Sequence, residues 1–266
     1  MIDINKHLVN VDGVNNIRDI GGIIVKDNRI IKKKCILRSS SLNDITDNGI
    51  STLKNEYKLS HIYDLRSAPE IEELSDRKID DVKFTHLEVL KANITDDLTK
   101  QNVPLNSNKM FVPYTTDIMY QNYIDYGVGI NAINCYKKFF DDLAYGNETC
   151  VLFHCCSGKD RTGILALLIE YILGASQKDI VEDYLLVNEI NKDGIEAYVK
   201  QAEQITKDPY RLSLVRMGCG TSLELLKQFY NAINKEYGNL DNYILRALEI
   251  DDKKKRILID RYTEII

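Results

Sequence analysis

Val151-Leu152-Phe153-His154-Cys155-Cys156-Ser157-Gly158-Lys159-Asp160-Arg161-Thr162-Gly163 joins an apolar strand to a short polar turn containing one glycine. An almost wholly apolar run, Ile164 to Leu173, follows. A strand, a tight turn and a helix buried on all sides belong to a layered α/β protein. A turn of this kind faces successive backbone N–H groups inward at the positive end of the helix dipole, which makes it an anion site. Cys155 and Arg161 stand in the spacing C-x5-R within it. A thiol there meets the helix dipole and Arg161, and both favour the nucleophilic thiolate. The planar fork of Arg161 matches two oxygens of a phosphate, which a lysine cannot do.

Counting decides between the adjacent cysteines. The sixth position after Cys155 is Arg161, whereas the sixth after Cys156 is Thr162. None of Cys35, Cys135, Cys150 and Cys219 has arginine at that offset. Cys155 is therefore the candidate nucleophile.

Outward from this stretch, the chain alternates strands and helices. Ile23 to Val25 and Ile30-Ile31 flank a turn signal at Asp27-Asn28, and Cys35 to Leu37 continues in extended form. A helix is expected after Thr46, with Ile50, Leu53 and Tyr57 on one face. His61 to Leu65, Val82 to Leu87 and Cys150 to Phe153 are short apolar segments of the kind buried in parallel sheets. The expected architecture is a central, largely parallel sheet flanked by helices, with an N-terminal hairpin. Residues 91–126 hold prolines and many tyrosines without a clean period, which suggests a lid or binding insertion, or else a surface excursion with a short helix of its own. Ser176-x-x-Asp179 is a capping box, and residues 174–266 read as a helical C-terminal region.

Composition narrows the function. A net charge of -5 disfavours nucleic acid and membrane surfaces, which call for a broad positive field. With 266 residues, 44% of them hydrophobic, and no linker or repeat, the chain reads as one domain, 1–266. The six cysteines show no paired metal spacing, and the N-terminus lacks the apolar stretch of a signal peptide. No run reaches the roughly 20 apolar residues needed to span a bilayer. The expectation is a reduced, cytoplasmic protein, or a secreted one if a leader has been removed.

The string His154-Cys155-x-x-Gly158-Lys159-Asp160-Arg161-Thr162-Gly163 closely resembles the signature loop of the protein tyrosine phosphatase superfamily. Its Lys-Asp pair resembles the bacterial tyrosine/serine phosphatase family, which includes lipid phosphatases. Asn16-Ile17-Arg18-Asp19-Ile20-Gly21-Gly22, Leu37-Arg38-Ser39-Ser40, Tyr63-Asp64-Leu65-Arg66-Ser67 and Tyr237-Gly238-Asn239-Leu240-Asp241-Asn242-Tyr243 are similar to further segments of that family. The resemblance implies a phosphatase fold and hydrolysis of a phosphate monoester through a phosphocysteine. The substrate would be a phosphorylated protein or a phosphoinositide, and inorganic phosphate would be product and inhibitor. No cofactor is implied, and His154, Cys155 and Cys156, being consecutive, cannot easily surround one tetrahedral metal ion.

Several roles stay open at the level of sequence. Cys156, Ser157, Gly158, Lys159, Thr162 and Gly163 are expected to bind phosphate, and His154 to orient the loop. The general acid is Asp160 or Asp64, with Asp117 or Asp125 as further candidates. Asp64 has a structural alternative in an ion pair with Arg66, Arg18 or Arg38. Lys159 either serves a second phosphate group or neutralises Asp160. Cys156 either bridges Cys155, with strain, or is a small residue tolerated in the loop. A phospho-binding module without turnover is the rival reading.

Overall fold

The computed structural model describes residues 7–91 and 115–266. In chain order its elements are β1 (Arg18–Asp19), β2 (Ile24–Val25), β3 (Arg29–Ile31), β4 (Ile36–Ser39), α1 (Asp47–Asn55), β5 (Leu59–Asp64), α2 (Ala68–Glu73) and β6 (Lys83–His86). Then come α3 (Thr116–Val128), α4 (Ile130–Tyr145), β7 (Cys150–His154), α5 (Asp160–Leu173), α6 (Gln177–Ile190), α7 (Lys192–Ile205) and α8 (Pro209–Cys219). The chain closes with α9 (Leu223–Tyr237), α10 (Leu240–Arg246), α11 (Asp252–Tyr262) and β8 (Thr263–Ile265).

The main sheet runs β1-β4-β7-β5-β6, with β4, β7, β5 and β6 parallel and β1 antiparallel at one edge. Its strands alternate between two cores. Leu37, Ile62, Cys150 and Leu152 face a core that also holds Val11, Ile17 and Leu53. Ile36, Tyr63, Val151 and Phe153 face the larger core, which contains α4 and α5. A strand covered on both faces needs apolar residues at every position, which explains the uninterrupted Cys150–Phe153 run. α5 is buried around its circumference from Thr162 to Glu170.

The hairpin forms as expected, with Asp27 and Asn28 both at positive φ (59° and 55°), a conformation Asp and Asn tolerate. Thr46 caps α1 by accepting from the N–H of Gly49, and Ser176 caps α6 by accepting from that of Asp179.

Two expectations need correcting. The tail is not wholly helical, because β8 pairs antiparallel with β3 and completes a small sheet β2-β3-β8. The segment at 82–87 is not a buried strand: in β6, Lys83, Phe84 and His86 are exposed at the sheet edge. Of the span 91–126, residues 92–114 lie outside the described residues, and residues 116–126 belong to α3, the short helix that a surface excursion allows. That helix buries Met119, Tyr123 and Tyr126 against the core. Its tyrosines recur at helical spacing, which the surrounding irregular sequence conceals.

Candidate active site

The parallel strands end together. Ser39 pairs with His154, His154 with Asp64, and Asp64 with His86 in the sheet register, so the turns after β4, β5 and β7 emerge at one edge. Ligand sites of open α/β sheets gather at this carboxyl edge.

The turn from Cys155 to Lys159 is held from behind by three groups. The carbonyl of Cys156 accepts from the N–H of Ser41 (3.0 Å), and that of Ser157 from the Asn16 side-chain amide (3.1 Å). The Gly158 carbonyl accepts from both Asn16 (3.0 Å) and the Arg38 guanidinium (3.1 Å). In a trans peptide the carbonyl and the next N–H point opposite ways. Fixing these carbonyls outward therefore turns the N–H groups of Ser157, Gly158 and Lys159 to the inner side of the loop. Gly158 sits at φ +66°, and an added Cβ would lie 2.4 Å from the Ser39 carbonyl oxygen, so only glycine fits. Asn16 and Arg38, singled out through the resemblance, thus act behind the loop. Arg18 and Arg38 both grip Asp183 of α6, at 2.8 and 2.5 Å.

Cys155 is buried at the head of this turn, 3% exposed. Arg161 lies in the first turn of α5, with its guanidinium on the Glu70 carboxylate at 2.6 and 2.7 Å. Burial works to raise the Glu70 carboxyl, but the Arg161 contacts outweigh it and hold that group far below the usual carboxylate range. Glu70 also accepts from Ser67, through a capping box that starts α2. Sequence reasoning missed Glu70, although Ser67-x-x-Glu70 with Pro69 in the first turn is a legible helix start. The Cys156 thiol donates to Glu70 Oε1 at 3.0 Å. Burial pushes that thiol up; Arg161 opposes the shift and Glu70 adds to it. All six cysteines are unbridged, Cys155 and Cys156 among them.

Asp160 opens α5 and receives two donors. Tyr123 Oη donates to its Oδ1 at 2.6 Å, and Lys159 Nζ stands 3.0 Å from its Oδ2. The ammonium of Lys159 also donates to the carbonyls of Gly218 (2.7 Å), in the last turn of α8, and Gly220 (3.0 Å), just after it. Tyr123, also missed, is fully buried. Burial, with Asp160 and Tyr184 beside it, drives its hydroxyl well above its ordinary value, so it acts as a donor.

Of the other candidates, the carboxylates lie apart from the loop, and His154, Thr162 and Gly163 flank it. Asp64 is fully buried and is taken bidentately by Arg66 at 3.0 and 2.7 Å, which is its structural alternative and leaves no carboxyl face for a substrate. Gly163 spends its N–H on the Lys159 carbonyl (2.9 Å) as part of the helix and so offers phosphate nothing. Its missing side chain instead makes room for the Tyr184 ring, 3.3 Å from where a Cβ would sit. Asp117 is exposed on α3, and Asp125 accepts from Gln121 of the same helix. His154 is fully buried, with Nδ1 3.1 Å from the Cys155 carbonyl and Nε2 3.1 Å from Asp76, positions that suit an orienting group. Thr162 Oγ1 and Arg161 Nε are buried beside the loop with no hydrogen-bond partner.

A cysteine, an arginine and inward amides on a strand–turn–helix define a cysteine-dependent phosphatase. The sequence matches the tyrosine phosphatase family over residues 9–264, and the chain belongs to that family. A Cupriavidus necator protein with a provisional tyrosine-protein phosphatase name is 26% identical, covering 92% of this chain and 86% of its own. The triple specificity protein phosphatase PtpB of Mycobacterium tuberculosis is 25% identical, covering 80% of this chain and 85% of its own. Among solved structures, the PP-IP phosphatase SIW14 of S. cerevisiae aligns over 80% of this chain and 93% of its own, at 15% identity and a TM-score of 0.33. Among the described residues, no helix is long and apolar enough to cross a membrane.

Proposed function

We propose that Cys155 hydrolyses phosphate monoesters in two steps and that the chief substrate is phosphotyrosine in protein, with phosphoserine and phosphothreonine as slower substrates. The observation that carries this reading is the outward anchoring of the Cys156, Ser157 and Gly158 carbonyls, which aims their neighbouring amides at the inside of the loop. In the first step the Cys155 thiolate attacks phosphorus, the P–O ester bond breaks, and the leaving oxygen takes a proton from Asp160. In the second, water attacks the phosphocysteine, Asp160 takes a proton back, and inorganic phosphate leaves with the thiolate restored. The loop amides and Arg161 stabilise the equatorial oxygens in both steps.

A single phosphate suits this site better than several. Lys159, the loop cation that would serve a second phosphate group, directs its ammonium to Asp160 and to the Gly218 and Gly220 carbonyls. A phosphoinositide would have to draw it away from three oxygens.

Cys155→Ser tests the assignment, since it removes the nucleophile and leaves the anion site. Turnover of an aryl phosphate should vanish while inorganic phosphate still binds by calorimetry. Substantial activity in that variant would overturn the role of Cys155. Wild-type rates on phosphotyrosine peptide, phosphoserine peptide and phosphoinositide vesicles separate the substrate classes, and a phosphoinositide preference would overturn the protein reading.

A further inference from the structure

A guanidinium has five N–H bonds to place, and the surroundings of Arg161 account for four. Nη1 donates to Glu70 Oε2 at 2.6 Å and reaches the Leu65 carbonyl at 3.5 Å. Nη2 donates to Glu70 Oε1 at 2.7 Å and has the Cys156 sulfur at 3.7 Å. Nε is buried without a partner. A carboxylate bound to both Nη atoms covers the end of the fork. The side formed by Nε and Nη2 is then opposed only by a distant thiol, which is a weak acceptor. That side has the geometry for two phosphate oxygens.

Glu70 is itself fixed. The N–H and Oγ of Ser67 lie 2.7 and 2.9 Å from its Oε2, and the Cys156 thiol donates to Oε1 at 3.0 Å. The carboxylate thus belongs to the first turn of α2 and to the arginine together, so the start of that helix sets the angle of the fork.

We propose that Glu70 is a positioning residue for Arg161: it occupies the Nη1–Nη2 end of the guanidinium, so that phosphate is taken on the Nε–Nη2 side, where it displaces the Cys156 sulfur. This rests on the reading of Arg161 as the phosphate clamp. It also gives the second cysteine of the loop a place, as a thiol donor that steadies Glu70. A thiol that donates to a carboxylate is poorly suited to attack its neighbour, so the geometry favours this role over a Cys155–Cys156 bridge.

The test compares Glu70→Gln and Glu70→Asp with wild type in the full chain, reading KM, kcat, the inhibition constant of inorganic phosphate, and the thermal midpoint. Losing one charge-assisted contact to Arg161 should raise the phosphate inhibition constant and lower kcat/KM roughly 10- to 100-fold. Glu70→Asp keeps the charge and withdraws it by one methylene, so it should fall between wild type and Glu70→Gln. In an Arg161→Lys background, Glu70→Gln should change the phosphate inhibition constant little further, because the fork it positions is gone. A purely structural Glu70 would lower the thermal midpoint without that coupling. Should Glu70→Gln, folded, keep both the inhibition constant and kcat/KM within about twofold of wild type, the proposal fails. If wild type neither turns over an aryl phosphate nor binds inorganic phosphate, the phosphatase reading fails first, and the two failures are distinct.

Discussion

At the scale of single residues, the open chemical question is the proton. Asp160 is the carboxyl that shares the loop with Cys155, whereas Asp64 is enclosed by Arg66. A phenol leaves with a pKa near ~10, while an alkyl alcohol is a far poorer leaving group and depends more on a proton donor. Asp160→Asn should therefore cost roughly 10²–10⁴-fold on phosphoserine peptide and much less on an activated aryl phosphate. Steady-state rates on the two substrates check this, and equal losses would remove Asp160 from the acid role. That Cys155, Arg161 and Asp160 share one turn was legible because the local string C-x5-R sets their spacing before any tertiary contact forms. Glu70 was not, since its meaning depends on how a helix 91 residues earlier in sequence is placed against Arg161. Asp64 was legible as a strand-end carboxylate, but only packing shows that Arg66 turns back onto it.

At the scale of elements, α3 links a core helix to the loop. Tyr123 and Tyr126 lie three residues apart on one buried face, with rings 5.4 Å apart between centroids. Tyr123 then joins Asp160 to Tyr184 of α6 through contacts of 2.6 and 2.7 Å, so two helices fix the carboxyl. Tyr123→Phe removes the hydroxyl and keeps the ring. It should lower kcat on phosphoserine peptide about 3- to 10-fold and cost about 1–2 kcal/mol of stability, leaving the phosphate inhibition constant unchanged. Kinetics and a denaturant titration check both parts, and a large rise in that constant would show that the hydroxyl serves the phosphate site instead. The main strands and α5 could be read from apolar runs because burial on both faces writes an unbroken pattern. β8 could not, because three residues at the end of a helix carry no period of their own. α3 was hidden by the irregular sequence before it.

Across the whole molecule, the loop rests on a buried charge cluster that joins four elements. Arg18 of β1 and Arg38 of β4 converge on Asp183 of α6, and Glu170 of α5 lies among them, 1% exposed and beside the Asp183 carboxylate. Burial, together with the adjacent Arg38, lowers Arg18 to about 10. Burial and the neighbouring Asp183 raise the Glu170 carboxyl well above its ordinary value, against the pull of the two arginines. The raised Glu170 carboxyl favours its neutral form, which would leave two arginines facing one ionised carboxylate beneath the loop. The pH dependence follows from proton counting. Above the ordinary carboxyl value near ~4.3, the unfolded chain has released a proton from residue 170 that the native state still holds. In that window the Glu170 contribution to stability is fully present at low pH and is lost as pH rises toward the elevated native value. Glu170→Gln keeps the shape and a donor for Asp183 but has no proton to lose. Its thermal midpoint should gain on wild type progressively between pH 5 and pH 8, by about 3–5 °C for each pH unit over which the native state still holds the proton. Calorimetric melts of both proteins across that range are the check. A gap that stays flat or shrinks with pH would mean that Glu170 is ionised in the native protein, and that the arginine pair beneath the loop is neutralised by two carboxylates.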